Sequence, residues 1–217
     1  MKRLHQVKVT WMVMALWLGP LTCDAQHHPP LYFETTDLVD SFDQNGLLVD
    51  SVLMKHRIER AEALNMAYTR NLIELQEPRL LNATGADEIY RLTLLRPSEN
   101  PIVLRVERTE ENILVHAKEQ HMIEENRFFI DYEQIKLTEN DWKTLAHQID
   151  QLEFFNLKST LPGSRIDHQT NTIWILEGCK SNQYHMAQRM HDQASDLRAT
   201  LKTLSSLAEM EIGFGGR

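Results

Sequence analysis

The sequence predicts an α+β protein: an antiparallel sheet of about five to six strands with helices packed on one face, plus a long N-terminal helix. From residue 87 onward, short runs of alternating apolar and polar residues are separated by turn residues, which is typical of strands joined by hairpins. Segments at 50–77, 138–152 and 192–209 instead repeat apolar residues every three to four positions, which is typical of amphipathic helices. Hairpins flanked by helices favour an antiparallel sheet over a parallel one.

The first 25 residues have the layout of a secretory signal peptide. Basic residues precede an apolar run from Val9 to Leu18, and the segment Cys23-Asp24-Ala25 has a small residue at either end. The apolar run is shorter than the roughly 20 residues that span a bilayer, so we expect no transmembrane span in the mature chain. We expect cleavage after Ala25 and a periplasmic or secreted protein. The alternative is lipidation at Cys23, because Leu21-Thr22-Cys23 resembles a bacterial lipoprotein site and would anchor the chain to a membrane.

Cleavage after Ala25 leaves an acidic chain with one cysteine. Of 23 basic and 31 acidic residues, 20 and 30 remain, which gives a net charge of -10. This balance argues against nucleic acid and anionic lipid as partners, because both attract basic surfaces. Cys179 is left without a partner for an intramolecular disulfide, so packing alone must hold the core. We interpret Cys179 as a buried apolar residue, with a reactive thiol as the alternative.

Three segments are predicted to follow the signal peptide. Residues 26–49 contain Pro29-Pro30 and read as a flexible leader. Residues 50–77 predict a long helix that ends before Pro78. Its apolar seam contains Met54, Ile58, Ala61, Asn65, Tyr68, Leu72 and Leu75. We expect this seam to pack on the rest of the chain, with a short coiled coil as the alternative. Residues 87–212 are predicted to form the α+β core domain, including the C-terminal helix.

The elements of the core domain are predicted in the order strands, helix, hairpin, helix. Strands are expected at 90–95, 102–107, 113–117, 128–137, 173–177 and 184–187. The segment Thr138-Glu139-Asn140-Asp141 has the form of a capping box and starts the first helix of the domain. A polar loop at 158–171 precedes the second hairpin, and loops of this length are often functional.

One motif resembles a family of uncharacterised exported bacterial proteins. It consists of Trp174-Ile175-Leu176-Glu177-Gly178 followed by Tyr184-His185, and the segments at 90–96, 100–102 and 154–157 are similar in style. The resemblance covers about residues 88–190 and implies the same α+β architecture. It implies no assigned activity, so no catalytic residue is carried over. Cys179 stands where the resemblance predicts an aliphatic residue.

The sequence contains no diagnostic catalytic or metal-binding motif. It lacks a serine on a Gly-flanked elbow and a His-x-x-x-His pair. The nearest candidate metal ligands are the pairs His116–His121, His185–His191 and Cys179–His185. A further candidate is Gln26-His27-His28 at the new amino terminus, a pattern that suits Cu(II). We favour scattered surface histidines over these sites and predict no cofactor and no metal.

We therefore expect a non-enzymatic exported binding or interaction domain, whose partner is an envelope protein or a small ligand. The candidate interaction surface is the second hairpin with the loop before it, namely Trp174, Tyr184, His185, Asp167 and His168. The alternative is a weak or unusual hydrolase that uses His168 or His185 with a carboxylate such as Asp167 or Glu177. A small protease-inhibitor-like module is a third reading, and it rests on fold analogy alone.

Overall fold

The predicted α+β fold is confirmed by a computed structural model, which describes residues 51–81, 87–97, 99–124, 127–160, 171–210 and 212. Six antiparallel strands form one sheet in the order β4-β3-β2-β1-β5-β6. The strands are β1 (Glu88–Leu95), β2 (Ile102–Arg108), β3 (Ile113–Glu124), β4 (Arg127–Lys136), β5 (Ile173–Lys180) and β6 (Gln183–Met190). The α-helices are α1 (Ser51–Glu74), α2 (Glu139–Gln151) and α3 (Arg198–Leu207).

Strand pairing places β1 and β2 near the centre of the sheet. Leu92 of β1 lies opposite Leu104 of β2 on one side and Leu176 of β5 on the other. Because side chains alternate between the two faces of a sheet, this register collects the apolar positions of three strands on one face. The central strands are covered on both faces, so their polar side chains are also buried.

The helices divide between the two faces. Helices α2 and α3 cover the face that carries Leu92 and Trp174, which we call the α2/α3 face. Helix α1 covers the opposite face through Ala61, Leu64, Tyr68, Leu72 and Leu75, and we call this the α1 face. The apolar seam predicted for α1 is therefore used mainly within the chain, although Ile58 is 39% exposed.

The capping box predicted for α2 is present. Thr138 Oγ1 accepts a hydrogen bond from the Asp141 amide at 3.2 Å, and the Asp141 carboxylate accepts one from the Thr138 amide at 3.0 Å. Two of the four free amides at the helix start are thereby satisfied, and the acid lies at the positive end of the helix dipole. The buried face of α2 presents Trp142, Leu145 and Ile149 to the sheet.

Two boundaries near the C-terminus differ from the predictions. The second hairpin turns on Ser181 and Asn182 alone, both with positive φ, so β5 and β6 run longer than the apolar pattern suggested. The last helix begins at Arg198, not near residue 192. Just before this start, the Asp196 carboxylate binds Arg189 Nε at 3.0 Å and accepts a hydrogen bond from the Leu197 amide at 2.9 Å.

Among the described residues, no helix is both long and apolar enough to cross a membrane. The predicted signal peptide, its cleavage site at Ala25, the lipidation site at Cys23 and the leader at 26–49 all lie outside the described residues.

Candidate functional site

The predicted interaction surface does not form one patch. Trp174 is 1% exposed and belongs to the core on the α2/α3 face, where its ring lies 5.0 Å from that of His191. The side chains of Tyr184 and His185 lie on opposite faces of the sheet, because Tyr184 pairs with Cys179 and His185 with Gly178. The remaining two predicted residues, Asp167 and His168, lie outside the described residues.

One acid–base pair considered for a hydrolase, His185 with Glu177, is not formed in the structure. Glu177 lies on the α1 face, where its carboxylate accepts hydrogen bonds from Arg91 and Tyr184, whereas His185 lies on the α2/α3 face against the Phe154 ring at 5.1 Å. The sheet separates the two groups, so they do not form an acid–base pair. Burial lowers the pKa of His185, and a hydrogen bond with the backbone of Leu157 acts against this shift.

Cys179 is buried, as the sequence predicted. Its side chain lies on the α1 face beside Tyr184, and it is a free thiol. Burial raises the pKa of the Cys179 thiol, because the thiolate is the form that loses hydration. This environment favours the unreactive thiol over a nucleophile.

A row of charged side chains crosses the α1 face and was not predicted as a site. Strand register places Glu177, Arg91, Arg105 and His116 on four neighbouring strands in one line. Arg91 is completely buried and donates two hydrogen bonds to Glu177, at 2.7 and 2.8 Å. Two arginines side by side repel each other unless a carboxylate lies between them.

Glu77 supplies that carboxylate from the segment just after α1. Its side chain is fully buried, with Oε1 lying 2.8 Å from Lys118 Nζ and Oε2 lying 3.0 Å from Arg105 Nε and 3.6 Å from Arg91 Nη1. Lys118 also donates hydrogen bonds to the carbonyls of Leu75 and Gln76, at 2.9 and 3.0 Å. A cation is thus held at the negative end of α1, which fixes the end of this helix to the sheet.

His116 links a second carboxylate to a tyrosine. Its Nε2 lies 3.0 Å from Glu107 Oε1, and its Nδ1 lies 2.9 Å from the hydroxyl of Tyr132. Tyr132 donates in turn to Gln134 at 2.9 Å. The hydrogen bond with His116 and the nearby Arg105 lower the pKa of Glu107, although partial burial opposes them. The carboxylate of Glu107 therefore stays ionised and orients the imidazole.

Tyr132 stays protonated in this setting. Desolvation raises the pKa of its phenol, and the charge of Arg105 only partly opposes the shift. The ring stacks against His116 with centroids 6.1 Å apart, and Lys118 Nζ lies 5.7 Å from the ring centroid. The phenol is therefore a neutral hydrogen-bonding group with an aromatic face next to a cation.

These side chains open into a cavity of about 270 Å³. It lies where the end of α1 passes over β2, β3 and β4. Its wall consists of Leu75, Gln76, Arg105, His116, Lys118, Ile130 and Tyr132. The wall therefore combines two aliphatic side chains and the ring of Tyr132 with four polar side chains, a more polar lining than most small-molecule sites have.

The predicted metal pairs are not assembled into a centre. Cys179 and His185 lie on opposite faces of the sheet. His116 is engaged by Glu107 and Tyr132, whereas His121 contacts Asn100 at 3.2 Å and stacks on Phe129. In the part of the chain that the structure describes, no group of three or more histidine, cysteine or acidic side chains is placed to hold a metal ion.

No sequence motif marks this site, so it was not predicted. The available signal was the alternation itself: Arg91, Arg105 and Lys118 stand on the strand face opposite Leu92 and Leu104, which α1 covers in the structure. A charged residue in a strand covered on both faces must find a partner, because burying an unpaired charge is costly. That partner, Glu77, is the last residue of the helix predicted at 50–77, and in the structure it lies just after the end of α1.

The chain matches no protein-family model and no curated protein sequence.

Proposed function

We propose that this protein is an exported binding domain that takes a small ligand into the cavity between the end of α1 and strands β2, β3 and β4. The observation that carries the proposal is the wall of this cavity. Leu75, Ile130 and the ring of Tyr132 supply apolar surface, and Arg105 and His116 supply polar groups that converge on the same space. A volume of about 270 Å³ lies just below the usual range of about 300–1,000 Å³ for small-molecule sites, so the ligand must be small.

The contacts of the polar groups favour binding over catalysis. Both ring nitrogens of His116 are engaged by protein groups, Glu107 and Tyr132, so neither is presented to a substrate as a base. The raised pKa of Tyr132 keeps its phenol neutral and disfavours the phenolate as a nucleophile. The site is held in place by ion pairs, and such preorganised polar groups suit recognition.

Export is supported by the layout of residues 1–25, and the resemblance of residues 88–190 to exported bacterial proteins points to the same compartment. Cleavage after Ala25 yields a free protein, whereas processing before Cys23 yields a lipid-anchored one. Mass spectrometry of the mature amino terminus distinguishes the two. An uncleaved chain starting at Met1 in the envelope would contradict both.

The binding proposal is tested by ligand-observed NMR with a library of small aromatic fragments. Ile130 lines the cavity and is 6% exposed, so Ile130→Phe is expected to fill part of the space and abolish fragment binding. The matched control is Ile123→Phe, since Ile123 is 53% exposed on the neighbouring strand β3. Equal binding by wild type and both variants would show that the fragments bind elsewhere and would overturn the proposal.

A further inference from the structure

The two edges of the sheet differ in how they are covered. At the β6 edge, the Gln188 amide donates to the Ser159 carbonyl at 2.7 Å, and Arg189 Nη1 donates to the Lys158 carbonyl at 3.0 Å. The other edge is β4, which has 10 residues, more than the usual length of about five to six. Among the described residues, no backbone group pairs with the open side of β4. A long edge strand of this kind is a template for pairing with another extended chain.

The register decides which backbone groups of β4 face the open side. The Leu137 amide donates to the Ile113 carbonyl at 2.9 Å, so the odd-numbered residues of β4 bond to β3. The other side of β3 agrees with this, because its Gln120 amide donates to the Pro101 carbonyl next to β2 at 3.3 Å. The N–H and C=O groups on the open side therefore belong to the even-numbered residues of β4, namely Phe128, Ile130, Tyr132, Gln134 and Lys136.

The two faces of this edge have different chemistry. The side chains of Phe128, Ile130 and Tyr132 lie on the α1 face and belong to the apolar cluster there. Asp131 and Glu133 lie on the α2/α3 face, because successive side chains alternate along a strand. Asp131 is exposed, and Glu133 Oε1 has no hydrogen-bond partner among the described residues. The edge thus carries an apolar row on one face and two carboxylates on the other.

We propose that β4 binds an extended basic peptide segment of a partner protein as a seventh, antiparallel strand. Backbone hydrogen bonds to the open side would supply affinity, and alternate side chains would supply specificity. Apolar side chains of the segment pack on the α1 face, and its lysines or arginines lie opposite Asp131 and Glu133, since opposite charges on neighbouring strands attract. This surface is additional to the cavity, whose wall contains neither carboxylate.

The same carboxylates make a second copy of the chain a poor occupant. Pairing two β4 strands over most of their length centres the contact on Asp131, Tyr132 or Glu133. In each of these registers an acidic side chain lies opposite an acidic side chain of the other copy, which is destabilising. The net charge of -8 on each chain adds to this repulsion. A basic strand meets neither obstacle.

The first test is isothermal titration calorimetry of the mature protein with the capped peptide Thr-Lys-Val-Lys-Val-Lys-Thr. Its matched control replaces each lysine by glutamate and should bind at least about tenfold more weakly. In antiparallel pairing the valine N–H groups point to β4 and the lysine N–H groups point away. N-methylation of the valines should therefore abolish binding, whereas N-methylation of the lysines should not. Equal binding of both methylated peptides would overturn the proposal.

The second test is amide hydrogen exchange of the wild type, which needs no variant. With the peptide bound, the amides of Ile130, Tyr132 and Gln134 should exchange on the order of tenfold more slowly, because they gain a partner. The amides of Asp131 and Glu133 already donate to β3 and should change little. An unchanged rate at the even-numbered residues, or an equal change in both sets, would overturn the proposal.

Two variants separate charge from backbone pairing. Asp131→Asn combined with Glu133→Gln should weaken the lysine peptide at least about tenfold, whereas Glu59→Gln combined with Glu62→Gln, at exposed positions of α1, should not. Gln134→Pro removes an N–H on the open side and takes no bond from β3. It should bind the peptide at least about tenfold more weakly than Gln134→Ala, which loses the same side chain. Thermal melts establish that each variant is folded, and the exchange rates of the wild type decide the matter if one is not.

The outcomes separate this inference from the proposed function. If fragments enter the cavity and the peptide leaves the exchange of β4 unchanged, the proposed function stands and this inference is wrong. If the peptide slows these amides and no fragment enters the cavity, the inference stands and the proposed function fails. A dimer in light scattering that Gln134→Pro converts to a monomer would show that a second copy occupies the edge and would overturn the inference.

Discussion

Replacing Glu77 by glutamine is expected to destabilise the protein by roughly 3–5 kcal/mol, because this removes one partner of a buried ion-pair cluster. The carboxylate is fully buried and lies 2.8 Å from Lys118 Nζ and 3.0 Å from Arg105 Nε. Hydrogen bonds to charged groups contribute about 1.5–3 kcal/mol each, so losing one and weakening the other accounts for the lower part of that range. Glutamine keeps the volume and one acceptor, but it sets an amide NH₂ group against a cation.

The measurement is urea unfolding followed by tryptophan fluorescence, since Trp142 and Trp174 are buried and report on the core. The matched control is Glu59→Gln on α1. Glu59 is 55% exposed and contacts Lys55 at 3.9 Å and His56 at 3.5 Å, both exposed as well, so the free energy of unfolding of this variant should change by less than about 0.5 kcal/mol. A loss below about 1 kcal/mol for Glu77→Gln would refute the role of this residue as the centre of the cluster.

Three further outcomes are expected. In Gly178→Ala the new Cβ would lie 2.7 Å from Phe154 and 2.9 Å from Tyr90, so the free energy of unfolding should fall by about 1–3 kcal/mol. Differential scanning calorimetry measures this loss, and an unchanged melting temperature would contradict the close packing. Burial lowers the pKa of His185, so the unfolded chain binds a proton at this residue more readily than the native state, and the native state loses stability as the pH falls. Urea unfolding measured from about pH 7 to about pH 5 should therefore show a smaller loss of stability for His185→Phe than for the wild type. Equal losses would refute this. Cys179 should react slowly with Ellman's reagent in the native protein and fast in urea, and rapid native reaction would show that the thiol is accessible.

Local patterns in the sequence predicted most of the secondary structure. The alternation in β1 and β2, the turn at 109–112 and the capping box at Thr138 each depend on residues within one element or its ends, and each was confirmed. The boundaries that were wrong were those of β5, β6 and α3. The β5–β6 hairpin turns on Ser181 and Asn182, and α3 begins after Asp196, whose carboxylate binds Arg189 of β6.

The candidate site was far harder to predict. Trp174 and Tyr184 stood out as large aromatic residues in a strong hairpin, but Trp174 packs in the core and Tyr184 supports Glu177. The side chains around the cavity come from the end of α1 and from three strands. Glu77 and Arg105 are 28 residues apart, and no local spacing relates them.

The sequence by itself determined the fold class and the order of its elements, because hydrophobic periodicity and caps act within a few residues along the chain. The layout of its first 25 residues also supports the prediction of export. Only the tertiary structure decided which charged side chains meet. Strand register aligned Arg91, Arg105 and His116 across the sheet, and the path of the chain after α1 brought Glu77 over them. Because these side chains are buried, each charge needs an opposite charge or a hydrogen-bond partner to offset the cost of its removal from water.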